Sequence, residues 1–226
     1  MLSIIFLLYV DMEVDVKFVK KWSYSCAKYL SHMLDEDHQK KAVYYYGFQI
    51  AIGSTVKIVA LAAVSLAFGV LLLALVISVS FTLLRKVAGG CHMKTYGKCL
   101  VVTIGLFISA ALLAQYTHQY WSVEGLVILF TLTFIAGIYL LLKYAPKDSP
   151  NRLITDLEER RRFKKLSIIY LLIWLVLVVV LTMQGMKIYT LALCFSVMLE
   201  VFGITPVGHS FFEKIEYGLT LERKPS

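Results

Sequence analysis

SLAFGVLLLALVISVSFTLL (65–84), RKVAGGCHMKTYGKC (85–99) and LVVTIGLFISAALLAQY (100–116) follow one another without interruption. The first and third runs are each close to the roughly 20 apolar residues that cross about 30 Å of hydrocarbon as a helix. The middle one packs a histidine, two cysteines, three glycines and four cations into a chain that is otherwise lipid-like. Two membrane helices therefore meet the water at 85–98, and the connection is where chemistry is to be sought.

The rest of the sequence repeats the outer pattern. Hydrophobic residues make up 59% of the 226, charged ones only 17%, and mean hydropathy is +0.73. No soluble domain carries that composition. Six apolar stretches are expected at 43–62, 65–84, 99–116, 122–142, 166–183 and 188–204, with a polar link at 117–121 and a charged loop at 143–165. The loop opens on the turn Ala145, Pro146, Lys147, Asp148, Ser149, Pro150, and from Asp156 to Lys165 it reads as a solvated helix running toward the membrane. The expected fold class is thus an all-α polytopic membrane protein with six transmembrane helices. Three regions are expected: an N-terminal interfacial region (1–42), the membrane domain (43–204) and a C-terminal tail (205–226).

Charge fixes the expected orientation. Six spans put both chain ends and the loops 85–98 and 143–165 on one side, and these regions carry 6, 3, 4 and 8 basic residues, 21 of the 23 in the chain. Only Lys57 and Lys187 are left over. The positive-inside rule makes that side the cytoplasm, so both termini are expected there. The net charge of +8 is accounted for by loops at an anionic leaflet, and a nucleic-acid partner is not expected. Lys57, inside the first stretch, is expected to snorkel to the interface.

Before the first span, Phe18, Trp22, Cys26, Tyr29 and Met33 recur at helical spacing among lysines. They define an amphipathic helix lying in the headgroup plane or against the protein's own face. The apolar residues 1–10 lack the flanks of a signal peptide, and Met12 is an alternative start.

Of the four cysteines, Cys26 and Cys194 fall on apolar faces and read as small hydrophobes. Cys91 and Cys99 lie at the expected cytoplasmic edge, where a structural disulfide is not anticipated. Their spacing with His92 matches no zinc pattern, so neither a metal nor a cofactor is expected. Cys99 is the nucleophile candidate. It opens the third span, where unpaired N–H groups and the helix dipole favour an anion, with Lys94 and Lys98 adding positive potential. His92 is the candidate base. Seven residues of unbroken helix would hold the two about 10 Å apart, so the chain must bend between them, and Gly89, Gly90 and Gly97 supply flexible points.

The order Arg85, Gly89-Gly90, one residue, His92, six residues, Cys99 between the second and third spans resembles the accessory gene regulator B family of membrane endopeptidases. Tyr144-Ala145-Pro146-Lys147-Asp148 looks like that family's loop after the fourth span, and the likeness extends from about residue 14 to 204. What the resemblance implies is a cysteine endopeptidase of the bacterial cell membrane acting in quorum sensing. Its substrate would be a short amphipathic propeptide, cut before its C-terminal tail through an acyl-enzyme thioester and then closed to a lactone or thiolactone. Carried over, Cys99 is the nucleophile, His92 its base, and Arg85, Gly89 and Gly90 have supporting roles. Cys91 inside the motif is a departure from the family pattern.

Arg160, Arg161 and Arg162, with Lys94 and Lys98, are candidate binders of an acidic peptide tail; a plain topology signal is the alternative. The competing function is a small transporter or channel with His92 and Lys57 in its path, and a thiol oxidoreductase is disfavoured by the lack of a CxxC motif. A homodimer is left open.

The orientation is testable. In sealed cells a membrane-impermeant maleimide is expected to label a cysteine introduced at Gln119 and to spare Cys99. Outside access to a cysteine placed in 143–165 would reverse the topology.

Overall fold

The computed structural model describes residues 2–90, 93, 96–147 and 156–221, with side chains between 17 and 218 of these. Among the described residues eight α-helices follow in order: α1 Leu2–Met33, α2 His38–Ala67, α3 Leu71–Ala88, α4 Tyr96–Thr117, α5 Val123–Tyr144, α6 Leu157–Met183, α7 Lys187–Ile204 and α8 Pro206–Leu221. Helices α2 to α7 are each long and apolar enough to cross a membrane, which makes this a multi-pass membrane protein of all-α class.

The spans occupy the expected places, but their ends move. Helix α2 begins before the apolar run and continues to Ala67, so Ser65 belongs to the first span and the second begins only at Leu71. Polar flanks stay helical beyond the hydrocarbon because the backbone hydrogen bonds of a helix are internal whatever the solvent. The same holds for α6, where the charged stretch from Leu157 is continuous with the span behind it. Asp156 caps it by accepting from the Glu158 N–H at 3.0 Å, and Glu158 and Glu159 complement the dipole. Ser122 caps α5 in the same way through Gly125 N–H. The polar link becomes a 3-10 turn at His118–Tyr120, and most of the expected C-terminal tail is helix α8.

The chain forms two compact units. One comprises Met1–Val64 and Lys94–Ile104. In it, α1 buries Val19, Ser23 and Ala27, whereas Phe18, Trp22, Tyr29 and Met33 stay 43–68% exposed. The aromatic face is therefore uncovered, as a face bound for the headgroup region would be. Tyr24 joins α1 to α2, its hydroxyl accepting from Lys41 at 3.3 Å and its ring meeting Tyr45 edge-on.

The other unit, Ser65–Met93 with Gly105–Ser226, is organised round α7, which packs on α3, α5, α6 and α8 and is buried on nearly all sides. Its core joins Leu84, Leu141, Leu171, Trp174, Val197 and Ile204. Polar groups knit the helices where apolar surfaces alone do not drive association in lipid. Trp174 Nε1 donates to the Leu193 carbonyl at 3.1 Å, Ser196 to that of Ile77 at 3.2 Å, and Tyr170 to that of Ser80 at 2.8 Å. Gly137 lets α6 approach α5, since a Cβ there would lie 3.1 Å from Leu171.

Candidate active site

Helix α4 begins at Tyr96, after the non-helical Met93, so no continuous helix carries positions 92 and 99, as the distance argument requires. His92, Cys91 and Lys94 lie outside the described residues. Cys99 is in the first turn of α4, half-buried. Its Sγ is 3.8 Å from the Nζ of Lys57 and 3.9 Å from Thr103 Oγ1. Lys57, expected to snorkel to the interface, has its ammonium against the sulfur.

The contact follows from matched spacing on two helices. Gly53 and Lys57, four apart, share a face of α2, while Tyr96, Cys99 and Thr103 share one of α4. Tyr96 donates its hydroxyl to the Gly53 carbonyl, and its ring lies 4.9 Å from the Lys57 ammonium. A side chain at 53 would crowd that ring, with its Cβ 3.2 Å from Tyr96 Cε2. Lys98 is half-buried.

Within the second unit the structure places Arg85, Gly89 and Gly90 together. Arg85 Nη1 is 3.6 Å from Oε2 of Glu200, whose side chain is wholly buried. Neither carboxylate oxygen has a hydrogen-bond partner among the described residues. Gly90 passes directly over the pair, since a Cβ there would lie 2.9 Å from Arg85 Nη1 and 3.3 Å from Glu200 Oε1. Gly89, at φ 78°, forms a parallel bridge with Lys147, whose N–H donates to the Ala88 carbonyl at 2.9 Å. The Gly-Gly element ahead of the histidine thus meets the Ala-Pro-Lys turn after α5, through the cis peptide Ala145-Pro146.

His209 of α8 belongs to this cluster electrostatically. Burial lowers its pKa, the Lys147 and Arg85 charges lower it further, and Glu213 opposes them. Arg160, Arg161 and Arg162 are exposed on α6. Cys194 is buried and Cys26 half-buried, and no cluster that could hold a metal occurs among the described residues. Sequence reasoning missed Lys57 as a neighbour of Cys99, together with Tyr96, Glu200 and His209. The available signal was an ionisable residue within an apolar run, which marks a functional position by default.

Fold and site together define a multi-pass membrane protein with a thiol beside a cation at the start of a spanning helix. The family profile described as Accessory gene regulator B matches residues 23–204, and the chain belongs to that family. A putative AgrB-like protein 2 of Clostridium perfringens (strain 13 / Type A) is 25% identical over 203 residues, covering 84% of this chain and 92% of its own. A putative AgrB-like protein of Halalkalibacterium halodurans is 27% identical over 174 residues, 76% and 80% of the two chains. Accessory gene regulator protein B of Staphylococcus lugdunensis is 25% identical over 190 residues, 84% and 94%. No solved structure matches.

Two outcomes are expected. Gly89→Ala places a methyl group against the Lys147 carbonyl at a backbone angle that alanine resists. It should lower thermal stability in detergent by about 1–3 kcal/mol. Gly105→Ala, a helical position with nothing within 4 Å, should be neutral or stabilising. An equal response of the two would show that the bridge contributes nothing.

The second concerns pH. Because the folded state holds His209 below its ordinary pKa, the stability linked to it is complete above about pH 6.5. It is lost as pH falls through the depressed folded value. The melting temperature of the wild type should therefore drop more on acidification than that of His209→Gln; parallel curves would remove His209 from the linkage.

Proposed function

We propose that this chain is a membrane cysteine endopeptidase of quorum sensing, with its active site on the cytoplasmic side of a bacterial cell membrane. Its substrate is a short amphipathic propeptide, cut before the C-terminal tail. The observation that carries the reading is the half-exposed Cys99 thiol in the first turn of α4 with an ammonium against it, in a chain of the accessory gene regulator B family. Cys194, by contrast, is sealed in the core of the second unit.

The chemistry runs as two acyl transfers. His92 takes the Cys99 proton, and the thiolate adds to the scissile carbonyl carbon; a C–S bond forms and the carbonyl electron pair moves to oxygen. Collapse breaks the C–N bond, and the His92 imidazolium protonates the leaving amine. A thiol or hydroxyl within the propeptide then gives its proton to His92 and attacks the thioester, closing the ring and releasing the Cys99 thiolate. Water is not consumed, so the ring forms only if the internal nucleophile outruns hydrolysis, which partial desolvation at a membrane edge assists.

Arg85, Gly89 and Gly90 support the segment that leads to His92, while Lys94, Lys98 and the exposed Arg160, Arg161 and Arg162 attract the acidic tail. Diffuse attraction of this kind is screened by salt.

Purified full-length chain in liposomes, supplied with a short amphipathic propeptide, tests the assignment. Cys99→Ser should abolish cleavage, His92→Ala should slow it by roughly 10²–10⁴-fold, and Cys91→Ala should retain most of it. Cleavage by the Cys99→Ser protein, or its loss in Cys91→Ala alone, would move the nucleophile.

A further inference from the structure

We infer that Lys57 is a catalytic residue that holds negative charge at the Cys99 sulfur and then at the oxygen of the carbonyl it attacks. The inference rests on Cys99 being the nucleophile. Its physical basis is the way the ammonium is aimed. Tyr96 is tied by its hydroxyl to the carbonyl of Gly53, one turn before Lys57 on the same helix, and the missing Cβ of Gly53 leaves room for its ring. The ring stands 4.9 Å from Nζ and attracts the cation by its quadrupole. Cys99 follows Tyr96 by three residues, so the two helices bring Sγ to 3.8 Å from the same Nζ.

An ammonium has donors and no acceptor, so toward sulfur it can only donate. That contact is weak for a neutral thiol and strong for a thiolate. When the thiolate adds to the peptide carbonyl, the charge moves across two bonds, from sulfur through the carbonyl carbon to oxygen, and a cation on a flexible stem can follow it. Lys57 keeps its protons throughout; the transferred proton travels through His92. A lysine serving only to reach the interface needs neither the tyrosine beside it nor the sulfur in front of it.

The test reads thiol reactivity apart from peptide cleavage. Full-length wild type, Lys57→Met, Lys57→Gln and Lys57→Arg are treated with iodoacetamide at neutral pH in the same lipid. Alkylation is followed on the fragment that begins at Cys99 after cleavage at Lys98, which separates it from Cys91. Lys57→Met and Lys57→Gln should alkylate roughly ten- to a hundredfold more slowly, with cleavage at saturating propeptide slowed to a similar degree. Lys57→Arg, keeping the charge but not the compact ammonium, should alkylate faster than both neutral variants. Unfolding would expose the thiol and speed alkylation, so a damaged fold does not imitate this result.

Unchanged alkylation in both neutral variants would overturn the inference, as would faster alkylation in variants that keep the wild-type melting temperature, or slower alkylation with undiminished cleavage. Failure of the underlying reading looks different: Cys99→Ser would still cleave propeptide, whatever the Lys57 variants do to the alkylation rate.

Discussion

The second unit depends on the ion pair between Arg85 at the end of α3 and Glu200 near the end of α7. A carboxylate with no exposed surface and no hydrogen bond among the described residues is costly to keep charged, and a single guanidinium at 3.6 Å repays that cost only in part. What the pair supplies is position. It joins the last turn of α3 to the central helix and gives the chain leaving α3 a surface that only a glycine at 90 can cross closely. One residue earlier, the Gly89 bridge to Lys147 ties the same segment to the turn after α5. Two sequence elements separated by two spans are thereby held against each other.

How much of this was legible depends on the kind of signal. The six spans were, because a run of some 20 apolar residues has one stable use in lipid. Their ends were legible in part: the solvated helix expected from Asp156 to Lys165 is the start of α6, whereas hydropathy marks only where hydrocarbon stops and so missed the polar start of α2, whose backbone bonds are satisfied internally. Helix α8 falls in the stretch expected as a tail (205–226), and Pro206 stands at its first helical position, where the missing N–H costs nothing. On α1 the aromatic stripe was visible; of the buried one (Val19, Ser23, Ala27), Ser23 and Ala27 are too polar or too small to register as an apolar face.

In the site, the legible part was local and the hidden part non-local. Arg85, Gly89, Gly90, His92 and Cys99 sit within one segment and could be read as a motif. Lys57 and Glu200 lie 42 residues before Cys99 and far after Arg85, each alone in an apolar stretch with no partner nearby in sequence. Their meaning arises from helix register. A shift of one residue in α2 against α4 would rotate Lys57 by about 100° away from the sulfur and separate Tyr96 from the Gly53 carbonyl, so the register and the charge contact stand or fall together.

The two units use charge in opposite ways. Arg85 and Glu200 are both built into the fold, a buried pair whose worth lies in holding backbone. Lys57 faces a group that is neutral as a thiol and charged only as a thiolate, and so its counter-charge comes and goes. A cation fixed before the anion forms requires no reorganisation at the moment of reaction, which is the condition under which electrostatic stabilisation is most effective. In water the same ammonium would be largely screened; half-buried against an aromatic ring it is screened less. Placing the thiol in the first turn of α4 adds the unpaired N–H groups of the helix start to the same side of the balance. Tyr96 is then the residue on which the arrangement turns. It opens the helix that carries the sulfur, grips the helix that carries the cation, and lies beside the cation itself.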